Sequence, residues 1–399
     1  MKAIYTIIIT LYYAGVHIAS LFSTKAASWV KGRKTALSPF AKNGKTIWVH
    51  CASLGEFEQA RPLIEEWKTK YNYQILLTFF SPSGYEVRKN YPFADYIGYI
   101  PYDYPKKINQ FLDHFDPDMV IMVKYEFWFH TLESIQKRKI PLYLISGLFR
   151  ESQLFFSFVG GWFLSILKGF TFLFLQDKKS EQILEKRGIK NHAFCGDTRL
   201  DRVLQIKAQL QENKIIEHFS NGKKLSIFGS VWPQDFEIIE GVVGLNPHEK
   251  FLIAPHNLDQ AFIEKLCSIG QAQRYSTYDT NKAAQILILD NMGMLASAYS
   301  YGKIAYVGGA FGKAVHNTME PAVFGLPVLF GPAYKKFHEA GALIEVNAAR
   351  SFREKAELTA FMHSLLGDEE LQQKMGKASS AYVHENAGAT QKILKHING

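Results

Sequence analysis

The segment from Ile286 to Pro332 constrains the fold of this chain more than any other. It reads ILILDNMGMLASAYSYGKIAYVGGAFGKAVHNTMEPAVFGLPVLFGP. That parses as strand (286–289), turn, helix, strand (304–307), glycine-rich loop, helix and strand (327–330). The three strand candidates are short and continuously apolar, as expected where helices cover both faces of a parallel sheet. In such open α/β sheets, ligands sit beyond the carboxyl ends of the strands. Gly308-Gly309-Ala310-Phe311-Gly312 falls in that position, and its glycines would let backbone come close to a ligand. His316-Asn317-Thr318-Met319-Glu320 then opens a helix, whose free N–H groups suit a phosphate. Asn317 and Glu320 also have the spacing of a capping box, which needs no ligand. A nucleotide site and a purely structural cap both stay open from these residues alone.

The same alternation runs through the rest of the chain, which at 399 residues suggests two domains rather than one core. Strands are expected at 46–50, 74–80, 96–100, 119–123, 142–146 and 171–176 in the first half, and at 224–229 and 251–254 in the second. The mostly polar stretch 206–221 is the expected connection, and the chain after Phe337 reads as helical to its end. The organisation expected is an N-terminal segment (1–35), a first Rossmann-like domain (36–205), a second (206–385) and a tail (386–399).

Composition narrows the class. With 47% hydrophobic and 21% charged residues the chain is globular, neither disordered nor polytopic. Its formal charge of +9 points to a polyanionic partner. The lysines are scattered and no nucleic-acid-binding motif is present, so an anionic membrane or a phosphorylated substrate is expected, and no nucleic acid. Cys51, Cys195 and Cys267 are odd in number and far apart, which fits a reduced cytoplasmic protein. No histidine-rich cluster suggests a metal site, and no cofactor is expected. Residues 3–22 form a nearly uncharged apolar run of about bilayer-spanning length, followed by Lys25, Lys31, Arg33 and Lys34. An uncleaved membrane anchor with the large domain on the cytoplasmic side is the favoured reading, over a buried helix or a signal peptide.

Glu56 is the catalytic candidate in the first half. It follows the expected strand 46–50 and the turn Cys51-Ala52-Ser53-Leu54-Gly55, where a carboxylate can face a cleft and take a proton from a hydroxyl. Glutamate in a first helical turn is also favourable with the dipole alone.

Several blocks in register resemble one family. These are His50-x-x-Ser53-Leu54-Gly55-Glu56, Thr78-x-x-Ser81-Pro82-Ser83-Gly84, Pro101-Tyr102-Asp103, Glu126-Phe127-Trp128 and Gly196-Asp197-Thr198-Arg199-Leu200-Asp201. Asp290-Asn291-Met292-Gly293, Val307-Gly308-Gly309 and His316-Asn317-x-x-Glu320-Pro321 complete the set. Together they resemble the 3-deoxy-D-manno-octulosonic acid (Kdo) transferases, bacterial enzymes of lipopolysaccharide assembly. The resemblance implies the α/β GT-B glycosyltransferase fold, two Rossmann-like domains about a deep interdomain cleft with an N-terminal membrane-anchor helix. It implies inverting, metal-independent transfer of Kdo from CMP-Kdo to the phosphorylated lipid A precursor at the cytoplasmic face of the bacterial inner membrane. Closure of the cleft would complete the site, and the family's last helix crosses back to the first domain, which 369–382 could do.

Carried over residue by residue, Glu56 is the base and Arg199 a basic residue that stabilises the transition state. Asn317 and the helix start (Thr318, Met319) would hold the CMP phosphate. Glu320 would meet the ribose, and Met292 and Gly293 the base, with Ser230, Pro255, Gly308 and Gly309 around the donor. Ser53, Gly55, Arg88 and Arg150 are candidate acceptor contacts. Three positions depart from the family pattern. Lys124 stands where its first glutamate is usual, so that either Glu126 supplies the acid or Lys124 meets an acceptor phosphate or the Kdo carboxylate; a lysine merely snorkelling at a strand end is the structural alternative. His256 replaces a donor-binding arginine, and Met294 a glutamate. Two rival functions stay open, a GT-B transferase using another nucleotide sugar and a non-catalytic lipid-binding relative.

Overall fold

The computed structural model describes residues 2–34, 37–153, 156 and 160–398. They form two compact units, one of residues 1–202 with 388–399 and the other of residues 203–387.

The first unit is built on seven parallel strands: β1 (Thr46–Cys51), β2 (Gln74–Phe79), β3 (Tyr96–Tyr99), β4 (Met119–Val123), β5 (Leu142–Gly147), β6 (Phe172–Leu175) and β7 (His192–Phe194). Their order is β3-β2-β1-β4-β5-β6-β7. Alternation along each strand feeds two cores. Trp48, Leu76, Val120 and Met122 enter the core on one face, and Ile47, Val49, Ile75, Leu77 and Ile121 that on the other. A helix α1 (Lys2–Ala19) and a second, α2 (Thr24–Lys34), precede the sheet, and α3 (Leu54–Lys70) follows β1.

The second unit repeats the plan with β8 (Leu225–Val231), β9 (Phe251–Pro255), β10 (Ala272–Arg274), β11 (Ile286–Ile288), β12 (Gly302–Val307), β13 (Val328–Phe330) and β14 (Ala349–Ser351). The order is β10-β11-β9-β8-β12-β13-β14, again parallel throughout. In each sheet the chain reverses its direction of winding once, between β1 and β4 and between β8 and β12. Those two crevices are where ligands of doubly wound sheets bind.

Three of the shortest strands, β7, β10 and β14, escape a reading of apolar runs. Each has three residues, and none of the three is a continuous apolar run that pattern alone would detect. β14 interrupts the expected helical C-terminal region. The helix expected to cross back does not do so: Glu369–Asn386 stays in the second unit, with Met375, Ser379 and Val383 buried and the Ser379 hydroxyl on the Leu326 carbonyl. The tail beyond it is a further helix, Ala389–Asn398, and it is this one that joins the first unit, burying Ile393 and Leu394 beside Phe57 and Trp67. Asp201 holds its start, accepting from the N–H groups of Gly388 (2.5 Å) and Thr390 (2.7 Å).

Candidate active site

At the β1/β4 crevice of the first unit, Ser53 caps α3 and Glu56 is its third residue. The Ser53 hydroxyl donates to Glu56 Oε2 at 2.5 Å and accepts from the Gly55 N–H at 3.3 Å. This holds the half-buried Glu56 carboxylate at the mouth of the crevice, with Ser53 as its side-chain partner. Gly55 is exposed; a Cβ there would meet only Ser53 Oγ, at 3.8 Å.

Glu126 is placed differently. Its Oε2 accepts from Trp128 Nε1 (2.6 Å) and pairs with His50 Nε2 (2.9 Å), and the side chain is buried. His50 Nδ1 lies 2.9 Å from Thr78 Oγ1, which itself accepts from Trp48 Nε1 at 2.8 Å. One proton assignment satisfies the whole chain: Trp48 to Thr78, Thr78 to His50 Nδ1, His50 Nε2–H to Glu126. Glu126 is thus an acceptor locked under the crevice floor, whereas Glu56 reaches solvent. Burial raises the Cys51 thiol well above its ordinary value, and the charges of Glu56 and Glu126 push the same way, placing both carboxylates in one neighbourhood.

Lys124 follows β4 with φ of +68°, a left-handed conformation unusual for a lysine and frequent at functional turns. The Gly196–Arg199 turn faces it. Arg199 clamps Asp197 through Nη2 (2.6 Å) and Nε (3.0 and 3.1 Å), and Gln176 donates to the same carboxylate at 2.6 Å. Burial would raise the Asp197 carboxyl, yet Arg199, with Lys124 nearby, holds it below the usual carboxylate range. Thr198 fastens this turn to α3 through the Gln59 carbonyl at 2.6 Å. Arg150 is exposed and acts on the same surroundings: it opposes the burial and the Asp177 and Glu56 charges that raise the Tyr125 hydroxyl. Arg88 does not join this group. Its guanidinium donates to Glu58 at 2.7 Å and lies over Phe57, where salt bridges of α3 absorb it.

In the second unit, the β8/β12 crevice is closed by Asp235, fully buried, which accepts from Tyr306 Oη (2.6 Å), the Trp232 N–H (2.8 Å) and the Gly309 N–H (3.2 Å). Ser230 adopts φ of +53°, and a Cβ on Gly308 would stand 2.5 Å from its carbonyl oxygen. The glycines are therefore used for close approach of two strand ends. They are not an open anion cradle, since the N–H groups of Gly308, Gly309, Gly312 and Ala314 all meet acceptors of this unit.

Beside this knot, Trp232, His256 and His316 form one aromatic stack. Ring centroids are 4.6 Å apart for Trp232–His256 and 4.1 Å for His256–His316, and Trp232 Nε1 donates to His316 Nε2 at 2.8 Å. That bond makes His316 the neutral Nδ1–H tautomer. Burial, with His256 adjacent, pushes His316 down to about 4, and burial also lowers His256. His256 is therefore a flat neutral ring at neutral pH rather than a cationic substitute for arginine. A cavity of about 180 Å³ beside the stack is lined by Trp232, Gln234, Gly309, Lys313 and His316 among others.

The expected donor residues divide on this geometry. Asn317 accepts from the Met319 N–H (3.0 Å) and donates to Glu320 (3.0 Å), so cap and paired side chains coexist. The helix they open, Met319–Val323, has only five residues and supplies little dipole. The Thr318 and Met319 side chains are completely buried in the core. Met292 stands 72% exposed and does not line the cavity, while Met294 turns inward and takes a hydrogen bond from Asn291. Pro255 ends β9 in the core. Trp232, Asp235 and Lys313 were not expected to take part, and His316 was expected only as the first residue of the Asn317 motif, with no role of its own. The signals that could have found them are weak: a tryptophan and an aspartate just past a strand, and the histidine opening the Asn317 motif.

Residues 28–202 match the family model for 3-deoxy-D-manno-octulosonic-acid transferase (kdotransferase). The 3-deoxy-D-manno-octulosonic acid transferase of Aquifex aeolicus is 28% identical over 318 residues, 77% of this chain and 82% of that one. The enzyme of the same name from Chlamydia muridarum is 26% identical over 373 residues, 88% of this chain and 86% of that one. Among solved structures, UDP-GlcNAc 2-epimerase from Neisseria meningitidis bound to UDP-GlcNAc is similar at a TM-score of 0.63 and 15% identity, over 89% of this chain and 99% of that one. A likeness at that identity speaks to fold, and the fold is GT-B.

Proposed function

We propose that this chain, a glycosyltransferase belonging to the Kdo transferase family of lipopolysaccharide biosynthesis, moves Kdo from CMP-Kdo to a phosphorylated lipid A precursor with inversion at the anomeric carbon. Glu56 removes the proton of the attacking acceptor hydroxyl, that oxygen bonds to the anomeric carbon, and the bond to the CMP phosphate breaks with its electron pair on phosphate. The observation that supports this most is the Glu56 carboxylate itself: aimed from a helix start by Ser53, half-exposed and, unlike Glu126, not held by His50 and Trp128. Arg199, Lys124 and Arg150 supply positive charge for the acceptor's phosphates or the Kdo carboxylate. The stack of Trp232, His256 and His316 offers a flat face to the cytosine or ribose, with Lys313 for the phosphate and the Asn317–Glu320 pair for ribose hydroxyls. The reaction runs at the cytoplasmic face of the inner membrane, where both donor and lipid acceptor are available.

Product mass tests this. Detergent-solubilised protein incubated with lipid A precursor and CMP-Kdo is expected to add one or more Kdo increments, and Glu56→Gln to slow this by about 100-fold or more. No increment from folded wild type would overturn the donor–acceptor pair; binding of UDP in preference to CMP would then identify a different nucleotide sugar. Equal rates from both proteins would remove Glu56 from the chemistry.

A further inference from the structure

Helix α1 has two unlike faces. Ile4, Ile7, Ile8, Leu11 and Ile18 recur at helical spacing, and each is between 54% and 67% exposed. Leu21 (76%) and Phe22 (86%) continue this stripe past the helix end. The opposite face is tied to the first unit by polar side chains along its whole length. Lys2 pairs with Glu133 at 2.5 Å, Tyr5 Oη donates to Asp103 at 2.6 Å, and Thr6 meets His130 at 2.9 Å. Tyr13 Oη accepts from the Asp103 N–H at 2.9 Å, Tyr104 Oη donates to Thr10 at 3.1 Å, and His17 meets Tyr102 at 3.0 Å.

We propose that α1 is an in-plane foot: it lies along the surface of an anionic bilayer with its isoleucine–leucine stripe among the acyl chains, and does not cross the membrane. This deepens the reading of a membrane-surface enzyme and rests on it. A crossing helix must carry its ends to opposite sides of about 30 Å of hydrocarbon. The partners of Lys2 and of His17 belong to one folded unit, so crossing would either pull Asp103, Glu133 and His130 into hydrocarbon or strip them of partners. Polar groups left unpaired there are strongly disfavoured. An in-plane position breaks none of these bonds and covers the stripe. The neighbouring α2 exposes Lys25, Lys31 and Lys34, which complement anionic headgroups as the polar side of interfacial helices does.

The test uses the full chain with an epitope tag ahead of its first residue, expressed in a Gram-negative host. Protease is added to intact spheroplasts and to inverted inner-membrane vesicles. The tag is expected to be cut only in inverted vesicles. The double variant Ile8→Glu/Leu11→Glu, which alters only solvent-facing side chains, is expected to lose about tenfold in binding to phosphatidylethanolamine–phosphatidylglycerol vesicles while melting like wild type. Cleavage of the tag in spheroplasts would overturn the proposal, as would undiminished vesicle binding by the double variant. Wild type that binds no such vesicles and fractionates as soluble would overturn the membrane-surface reading itself, with the transferase assay reporting separately on the chemistry.

Discussion

Glu56 and Glu126 show how one residue type divides into two roles within a single crevice. Glu126 spends an oxygen on His50 and Trp128 and is walled in, whereas Glu56 is steadied by one serine and faces outward. Gly55 beside it has open space, so Gly55→Ala should fold and melt no lower than wild type, since alanine favours the helix by up to about 1 kcal/mol. If acceptor passes over this turn, the same variant raises KM for the lipid; steady-state kinetics alongside thermal melting separates the two effects. His316 makes a second prediction. Its ring sits at about 4 in the fold against 6.5 free, so the folded state resists protonation. Stability is complete above about pH 6.5 and is lost as pH falls toward 4, because the unfolded chain takes up the proton first. The full shift corresponds to about 3 kcal/mol, which partial exposure reduces to about 2. Hydrogen exchange of residues 229–235 between pH 7 and 4 should show the loss in wild type and a flatter profile in His316→Gln.

Among elements, three strand ends hold left-handed backbone at non-glycine residues, Lys124 after β4, Ser146 in β5 and Ser230 in β8, beside others such as Asn72 and Asp116 in turns. Strain of this kind persists only where the surroundings over-determine it. At Ser230 the surroundings are the Asp235 knot, whose three bonds join the loop after β8 to the end of β12. Asp235→Ala leaves a buried hydroxyl and two N–H groups without that acceptor and should cost about 3 kcal/mol or more, chiefly in the second unit. Hydrogen exchange or limited proteolysis of that unit checks it. The short helix Met319–Val323 teaches the opposite lesson, that a sequence motif resembling an anion-binding helix start can deliver only one turn.

At the scale of the whole molecule, the last helix belongs to the first unit though it follows the second in sequence. Truncation after Asn386 removes Ile393 and Leu394 from the core around Phe57 and Trp67 and leaves Asp201 without its two N–H partners. Faster hydrogen exchange is expected in β1, β2 and α3, while the second unit, adjacent to the cut, exchanges as before.

The long apolar strands were legible because a parallel strand covered on both faces must be apolar at nearly every position, and this signal is local. The turns around Glu56 and Asn317 were legible for a related reason, since helix starts use short-range chemistry, whereas Arg199 was singled out by resemblance alone. What needed the tertiary structure were the relations between distant segments. The short edge strands β7, β10 and β14 form only because a sheet edge is already there. Arg88 was drawn to Glu58, and Met319 into the core, by neighbours that a linear reading does not contain. Trp232, His256 and His316 become one stack only when three strand ends meet. The N-terminal run has the length and apolarity of a membrane span, properties of the segment alone. Its docked face depends on Asp103, Glu133 and His130, about a hundred residues further along the chain.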